Sequence, residues 1–387
     1  MKKSSSILLV TILLFIAGCS NDISTSDDLL SSDVYGEASG GSPEGGQGNQ
    51  SGLVSAGEWN DLNNWSFWNN LLNGQEYSKN PEYWGFYTNN RISVSVKFNT
   101  IPAVNVKVAV KKNQDVIWES YTDNFGTAEL WIGLFQKENT IDLTNYKLFV
   151  NDEEVSVPLK LFNDGIVSVP INSTQNISNK VELSFIVDAT GSMSDELEFL
   201  KDDLKSVIQK VKNGNSALNI FTSTVFYRDE GDDYLIKSSD FTNDISITQN
   251  FINQQSANGG GDFPEAVHTA LNQAINNLQW SVDSKTRIAF LLLDAPPHYE
   301  PQIIDAIQNL IKKAAQKGIK LIPVTASGID KETEFLMRFF SISTNGTYVF
   351  ITNHSGIGND HIEASVGDYE VETLNDLMVR LINKYSE

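Results

Sequence analysis

The chain has 387 residues and a formal net charge of -21, enough length for two or three domains and at least one sizeable core. Such acidity excludes a nucleic-acid grip, which needs clustered Lys and Arg, and adhesion to anionic lipid through a basic patch. A single cysteine, Cys19, excludes an intramolecular disulfide framework.

At the N-terminus Lys2 and Lys3 precede an apolar run over residues 7–16, too short for a permanent membrane span. The run closes on Phe15-Ile16-Ala17-Gly18-Cys19. This resembles the lipobox of bacterial lipoproteins, with Ile16 in place of the commoner Leu. The resemblance implies that residues 1–18 are a signal peptide, cut before Cys19, and that Cys19 is lipidated and anchors the chain to a membrane. Residues 19–57 are rich in Ser, Gly, Asp and Asn, which bury too little apolar surface to order themselves, so an acidic tether is expected. Asp22, Asp27 and Asp28 resemble acidic signals that send some lipoproteins to the outer face of Gram-negative cells. The expected location is thus the cell envelope, at the outer membrane and exposed on the surface.

Residues 58–90 are unusually aromatic, with Trp59, Trp65, Trp68 and Trp84 among them. Two readings apply: a carbohydrate-stacking platform, or rings packed against a neighbouring domain. Packing is the expectation, because aromatic side chains usually bury large areas.

Residues 91–178 alternate as strands do, at Ile92, Val94, Val96 and Phe98, then at Val104, Val106, Val108 and Val110. Thr122-Asp123-Asn124-Phe125-Gly126-Thr127 makes a turn before another strand. Over about forty residues this resembles the carboxypeptidase regulatory-like, transthyretin-type β-sandwich. The resemblance implies a small all-β domain with a structural or adhesive role.

From residue 179 to 387 strands and helices alternate. Residues 181–187 read as a buried strand, and Leu197, Leu200, Leu204, Val207, Ile208 and Val211 share one helical face. Residues 218–227 and 234–237 read as a hairpin around the acidic turn 228–233, taken as a solvated tip rather than a calcium loop. A helix begins at Pro264. The continuous apolar run 288–293 predicts a central parallel strand covered on both faces. A helix carrying Ile303, Ile307, Leu310 and Ile311 follows, then strands at 320–324 and 348–352 and a closing helix at 374–385. The fold class is therefore α/β, a doubly wound, mostly parallel sheet preceded by the small sandwich.

Val187-Asp188-Ala189-Thr190-Gly191-Ser192-Met193-Ser194-Asp195-Glu196 packs acids and hydroxyls into one strand-to-helix turn. All-oxygen sets suit hard divalent cations, and open α/β folds place ligands at this edge. Asp188, Thr190 and Ser192 reproduce the D-x-[ST]-x-S pattern of the von Willebrand factor type A (vWA) domain, and Asp294 matches its later metal-site Asp. The resemblance implies a metal-ion-dependent adhesion site holding Mg²⁺ or Mn²⁺. Gly259-Gly260-Gly261-Asp262-Phe263-Pro264-Glu265 departs from the usual Thr loop and resembles the integrin β-subunit I-like domain. That makes Glu265 the candidate central ligand, with Asp262 the alternative, and assigns Asp195 and Glu196 to an adjacent Ca²⁺. His298 is read as a rim residue, since hard cations rarely take imidazole.

The expected function is a cell-surface adhesion or interaction module that binds an exposed Asp or Glu of a protein partner through its cation. Alternatives are an assembly scaffold with a degenerate site and a metal-dependent hydrolase. With no G-x-S-x-G elbow, P-loop or H-E-x-x-H in the chain, no catalysis is expected.

Overall fold

A computed structural model describes residues 52–138, 140–173, 176–357 and 360–387. Cys19, the signal segment and the acids behind Cys19 lie outside the described residues. The first described strand, β1 (Ser55–Trp59), pairs with a strand near the far end of the chain. Two short helices follow, α1 (Trp65–Leu71) and α2 (Asn80–Trp84), the latter started by Pro81 and stopped by Gly85 at a positive φ.

Eight strands build two four-stranded sheets: β2 (Arg91–Phe98), β3 (Ile101–Pro102), β4 (Lys107–Lys112), β5 (Asp115–Tyr121), β6 (Thr127–Trp131), β7 (Tyr146–Val150), β8 (Glu153–Val155) and β9 (Val167–Ile171). One sheet joins β3, β6 and β9 to β2, and the other runs β5-β4-β7-β8. Ile92, Val94 and Val96 of β2 and Val108 and Val110 of β4 are fully buried, as period-two alternation requires. The turn into β6 is tied by Asp123, whose Oδ1 accepts from the Phe125 and Thr127 amides at 2.9 and 3.0 Å. Gly126 sits there at φ +70, where a Cβ would stand 2.6 Å from the Val96 carbonyl oxygen.

The remaining elements are β10 (Lys180–Asp188), α3 (Ser194–Gly214), β11 (Asn219–Tyr227), β12 (Ile236–Thr242), α4 (Ile245–Asn253), α5 (Val267–Asn272), β13 (Thr286–Leu293), α6 (Pro301–Gln316), β14 (Ile319–Thr325), α7 (Lys331–Ser343), β15 (Tyr348–Ile351), β16 (Glu372–Thr373) and α8 (Leu374–Ser386). Their sheet runs β12-β11-β10-β13-β14-β15-β1-β16, with β10, β11, β13, β14 and β15 parallel. Every residue of β13 is buried, as its apolar run implies. Val181, Leu183, Phe185 and Val187 of β10 pack with α3 and α8 on one face. Ile186 joins α5, α6 and α7 on the other. Strand order reverses between β10 and β13, and the crevice beyond their carboxyl ends is where a doubly wound sheet offers a ligand site.

Two boundaries drawn from sequence move. The tether expected up to residue 57 already contains most of β1, and the α/β sheet is not confined to 179–387. The cause is a sheet edge: β15 needs an antiparallel partner, and Ala56 to Trp59 supply it opposite Ile351 to Tyr348. Helices α4 and α7 were not read from the sequence. In α7 every residue from Thr333 to Ser343 is buried, so no polar face marks its period.

The aromatic segment covers the outer side of α7. Trp68 stacks on Phe335 with centroids 5.6 Å apart, and Phe86 stacks on Phe339 at 4.6 Å. Trp65, Trp68 and Trp84 are buried, which is the packing reading. Beneath them Arg338, fully buried, donates to both carboxylate oxygens of Asp61 at 2.6 and 2.9 Å. Asp61→Ala would remove the bidentate partner and leave the guanidinium only Glu334 at 3.5 Å and the Ser365 carbonyl, and we expect a loss of about 3 kcal/mol in denaturant unfolding. A change near zero would mean that the clamp contributes nothing.

Candidate metal centre

Strand β10 ends on Asp188, and the chain turns through Ala189 and Thr190 into a single 3₁₀ turn, Gly191–Met193, before α3. The Asp188 Oδ1 accepts from the Thr190 amide at 2.8 Å and from the Thr190 hydroxyl at 2.6 Å. The Thr190 Oγ1 lies 3.2 Å from the Ser192 Oγ. A carboxylate and two hydroxyls thus share one small patch. Asp188 Oδ2 is buried there with no partner.

The loop between α4 and α5 is strapped onto this turn. The Asn258 amide donates to the Ala189 carbonyl at 3.1 Å and the Gly191 amide to the Gly259 carbonyl at 3.0 Å. A Cβ on Gly191 would meet that Gly259 oxygen at 2.8 Å, so the close approach demands glycine. Further on, the Glu265 amide donates to the Pro296 carbonyl at 2.8 Å. A Cβ on Gly260 would stand 2.9 Å from Glu265 Oε1 and 3.2 Å from Thr190 Cβ, which places the Glu265 carboxylate beside Thr190. Asp294, just past β13, lies within reach of the Ser192 hydroxyl.

Asp188, Asp294 and Glu265 are each at most 5% exposed. Burial, then the neighbouring carboxylates, raise Glu265 to about 9. Burial and Asp188 raise Asp294 to about 7, and burial outweighs the Thr190 bonds in raising Asp188 to about 6. Asp188 Oδ2, Asp294 Oδ1 and Glu265 Oε2 all lack a hydrogen-bond partner. Buried anionic oxygens without donors are costly, and a divalent cation would remove both the repulsion and the missing bonds. Among the described residues no three His, Cys, Asp or Glu side chains are already gathered as a metal cage. A cation here would therefore draw on the two hydroxyls as well as the acids.

Residues 182–356 match the von Willebrand factor A domain family. This stretch is a vWA domain. Two curated relatives match part of this chain: an ariadne-like RING finger protein of Acanthamoeba polyphaga mimivirus, 35% identical over 125 residues, and the alpha-protein kinase vwkA of Dictyostelium discoideum, 33% identical over 123. Those alignments take in 32% and 31% of this chain but only 12% and 19% of the relatives' lengths. Among solved structures, the protein BatB from Bacteroides thetaiotaomicron aligns with a TM-score of 0.37 at 16% identity. An aerotolerance-related membrane protein from Bacteroides fragilis aligns at 0.33 and 15%. Each alignment covers 53% of this chain, and 98% and 99% of those chains.

Within the vWA domain Asp188, Thr190, Ser192, Asp294 and Glu265 come together at one crevice. Asp262 stays exposed on the loop, so the Thr190 neighbour is Glu265. Asp195 is exposed, whereas Glu196 is buried and its Oε1 accepts from the Ser327 amide at 3.2 Å and from the Ser327 hydroxyl. The two acids assigned to a second ion thus have different surroundings. His298 is a rim residue bonded to Asp229 at 2.8 Å.

The acidic hairpin tip differs from a merely solvated one. Asp232 accepts from the Gly260 amide at 2.9 Å and from the Asp229 amide at 3.1 Å, pinning the glycine loop. Arg228 donates to the Ala189 and Ser256 carbonyls at 3.1 and 2.9 Å. Reading the sequence missed these positioning roles, because nothing local relates residue 232 to residue 260.

These groups set a pH dependence for the metal-free protein. The carboxyls have ordinary values of 3.8 and 4.5 and hold their protons to higher pH when folded. The folded state then binds more protons than the unfolded chain, so stability falls as pH rises. In chelator, we expect unfolding free energy to decline from about pH 4 toward about pH 9, with Glu265→Gln flattening the upper part. A stability that stays level across that range in the unmodified protein contradicts the crowding of charge described here.

Proposed function

We propose that the vWA domain is a non-catalytic interaction module. It binds one Mg²⁺ or Mn²⁺ through Asp188, Thr190, Ser192, Asp294 and Glu265, and through the cation an acidic side chain of a protein partner. The observation that carries this reading is the set of three buried, partnerless carboxylate oxygens facing two hydroxyls at the switch-point crevice. A bound cation of this kind keeps an exchangeable water that an incoming carboxylate replaces.

The chain's own residues do the positioning. Thr190 fixes one oxygen of Asp188 through two bonds, and the Tyr227 hydroxyl also lies against this carboxylate. Asp232 and the Pro296 carbonyl hold the loop that carries Glu265. Loading the site displaces the protons that burial keeps on these acids, so uptake strengthens with rising pH.

A second reading, a scaffold that takes no metal, is favoured by the lack of a ready-made acidic cage among the described residues. The lipobox-like end supports an anchor through acylated Cys19, and Asp22, Asp27 and Asp28 behind it support an outward-facing location at the outer membrane. Among the described residues no helix is long and apolar enough to cross a membrane.

Calorimetric titration separates the readings. Saturable, one-to-one heat with Mg²⁺ or Mn²⁺ that disappears in Asp188→Ala is expected. Equal uptake by the unmodified protein and the variant refutes the ligand assignment, and no uptake by the unmodified protein favours the scaffold.

A further inference from the structure

We infer that the partner's carboxylate is presented on a basic segment, selected by the ring of acids and exposed aromatic side chains around the crevice. This rests on the metal reading above. Three carboxylates against one dication leave a formal negative charge at the centre, where a Thr-type site would leave the ion more electrophilic. A fourth carboxylate is therefore weakly drawn by the centre alone.

The surroundings repel it further. The loops over residues 189–193, 228–235, 254–266 and 294–300 contain Arg228 and no Lys. Arg228 is 5% exposed, donates to the Ala189 and Ser256 carbonyls and lies 3.9 Å from the Asp233 carboxylate, so little of its charge reaches an incoming anion. Glu230, Asp233, Asp262 and Glu300 on the same loops are exposed. Charges within about 8 Å act on one another through physiological salt, and a partner acid at the crevice enters that field. Lys or Arg beside the acid reverses the sign of the encounter and makes the potentials complementary.

The apolar part of the rim fits the same occupant. Phe263, between Asp262 and Glu265 in sequence, is 46% exposed. Tyr299, next to His298, is 47% exposed and stacks on Tyr83 with centroids 3.9 Å apart. The Tyr299 hydroxyl donates to the Tyr83 carbonyl at 2.8 Å, which fixes both rings at the surface. Aromatic faces beside acids accept guanidinium and ammonium groups. An acidic segment gains no charge complementarity here, and an uncharged one gains only apolar contact with the rings.

The test uses full-length protein and three labelled twelve-residue peptides. Two share a central Asp and one Tyr, flanked either by Lys and Arg or by Glu and Ser, and the third is the basic peptide with Asn for Asp. Fluorescence anisotropy is read in Mg²⁺ and in chelator, at low and high salt. We expect the basic Asp peptide to bind about tenfold or more tightly than the acidic one, only with Mg²⁺, and to weaken with salt. The Glu230→Gln, Asp233→Asn, Glu300→Gln triple variant should lose about tenfold in that affinity while taking up Mg²⁺ unchanged.

In a protein that takes up Mg²⁺, equal affinity for the two Asp peptides, binding of neither, or an unaffected triple variant overturns the inference. Tight binding of the Asn peptide in chelator also overturns it, because the attraction would then be general. Failure of Mg²⁺ uptake itself shows in calorimetry, and identifies the metal reading as the part at fault.

Discussion

Three carboxylates buried within reach of one another's charge, at the one place where the sheet changes direction, are the constraint on which the remaining structure turns. Asp188 and Asp294 arrive there because β10 and β13 are adjacent parallel strands whose carboxyl ends open on the same crevice. Glu265 arrives from a loop with no strand of its own at that edge. A folded chain gains nothing from such an arrangement unless something positive completes it. The cost is offset elsewhere, by fully buried faces on both sides of the sheet.

The loop carrying Glu265 is held by backbone contacts more than by side-chain packing. Glycines at 191 and 260 let the turn after β10 and this loop approach to van der Waals limits, and the Asn258 and Gly191 amides pair across them. Asp232 adds a tie from the β11–β12 hairpin. Three loops that are distant in sequence are therefore tied to one another. Rigid support of this kind lets a small donor set keep its geometry without a large cavity.

The rest of the molecule stabilises the platform from behind. Helix α7 lies between the sheet and the aromatic layer formed by residues 58–90, and the Arg338 guanidinium reaches through to Asp61. A segment that precedes the sandwich in sequence thereby completes the domain that follows it. The β1 strand does the same at the sheet edge, so the α/β unit closes only when the N-terminal segment is in place.

What the sequence determined by itself was whatever short-range pattern encodes. The all-buried run of β13, the alternation of β2 and the spacing of Asp188, Thr190 and Ser192 at a strand end each follow from a local period or a local turn. The fold class and the acids at the end of the first central strand were therefore legible. Helix α7 was not, because burial on every side erases its period, and β1 was not, because a five-residue strand is defined by its partner. Tertiary structure alone decided that Glu265 rather than Asp262 lies against Thr190, that Glu196 turns inward to Ser327, and that Asp232 anchors Gly260. Each of these depends on contacts between segments far apart in the chain, whose geometry exists only after the sheet has assembled.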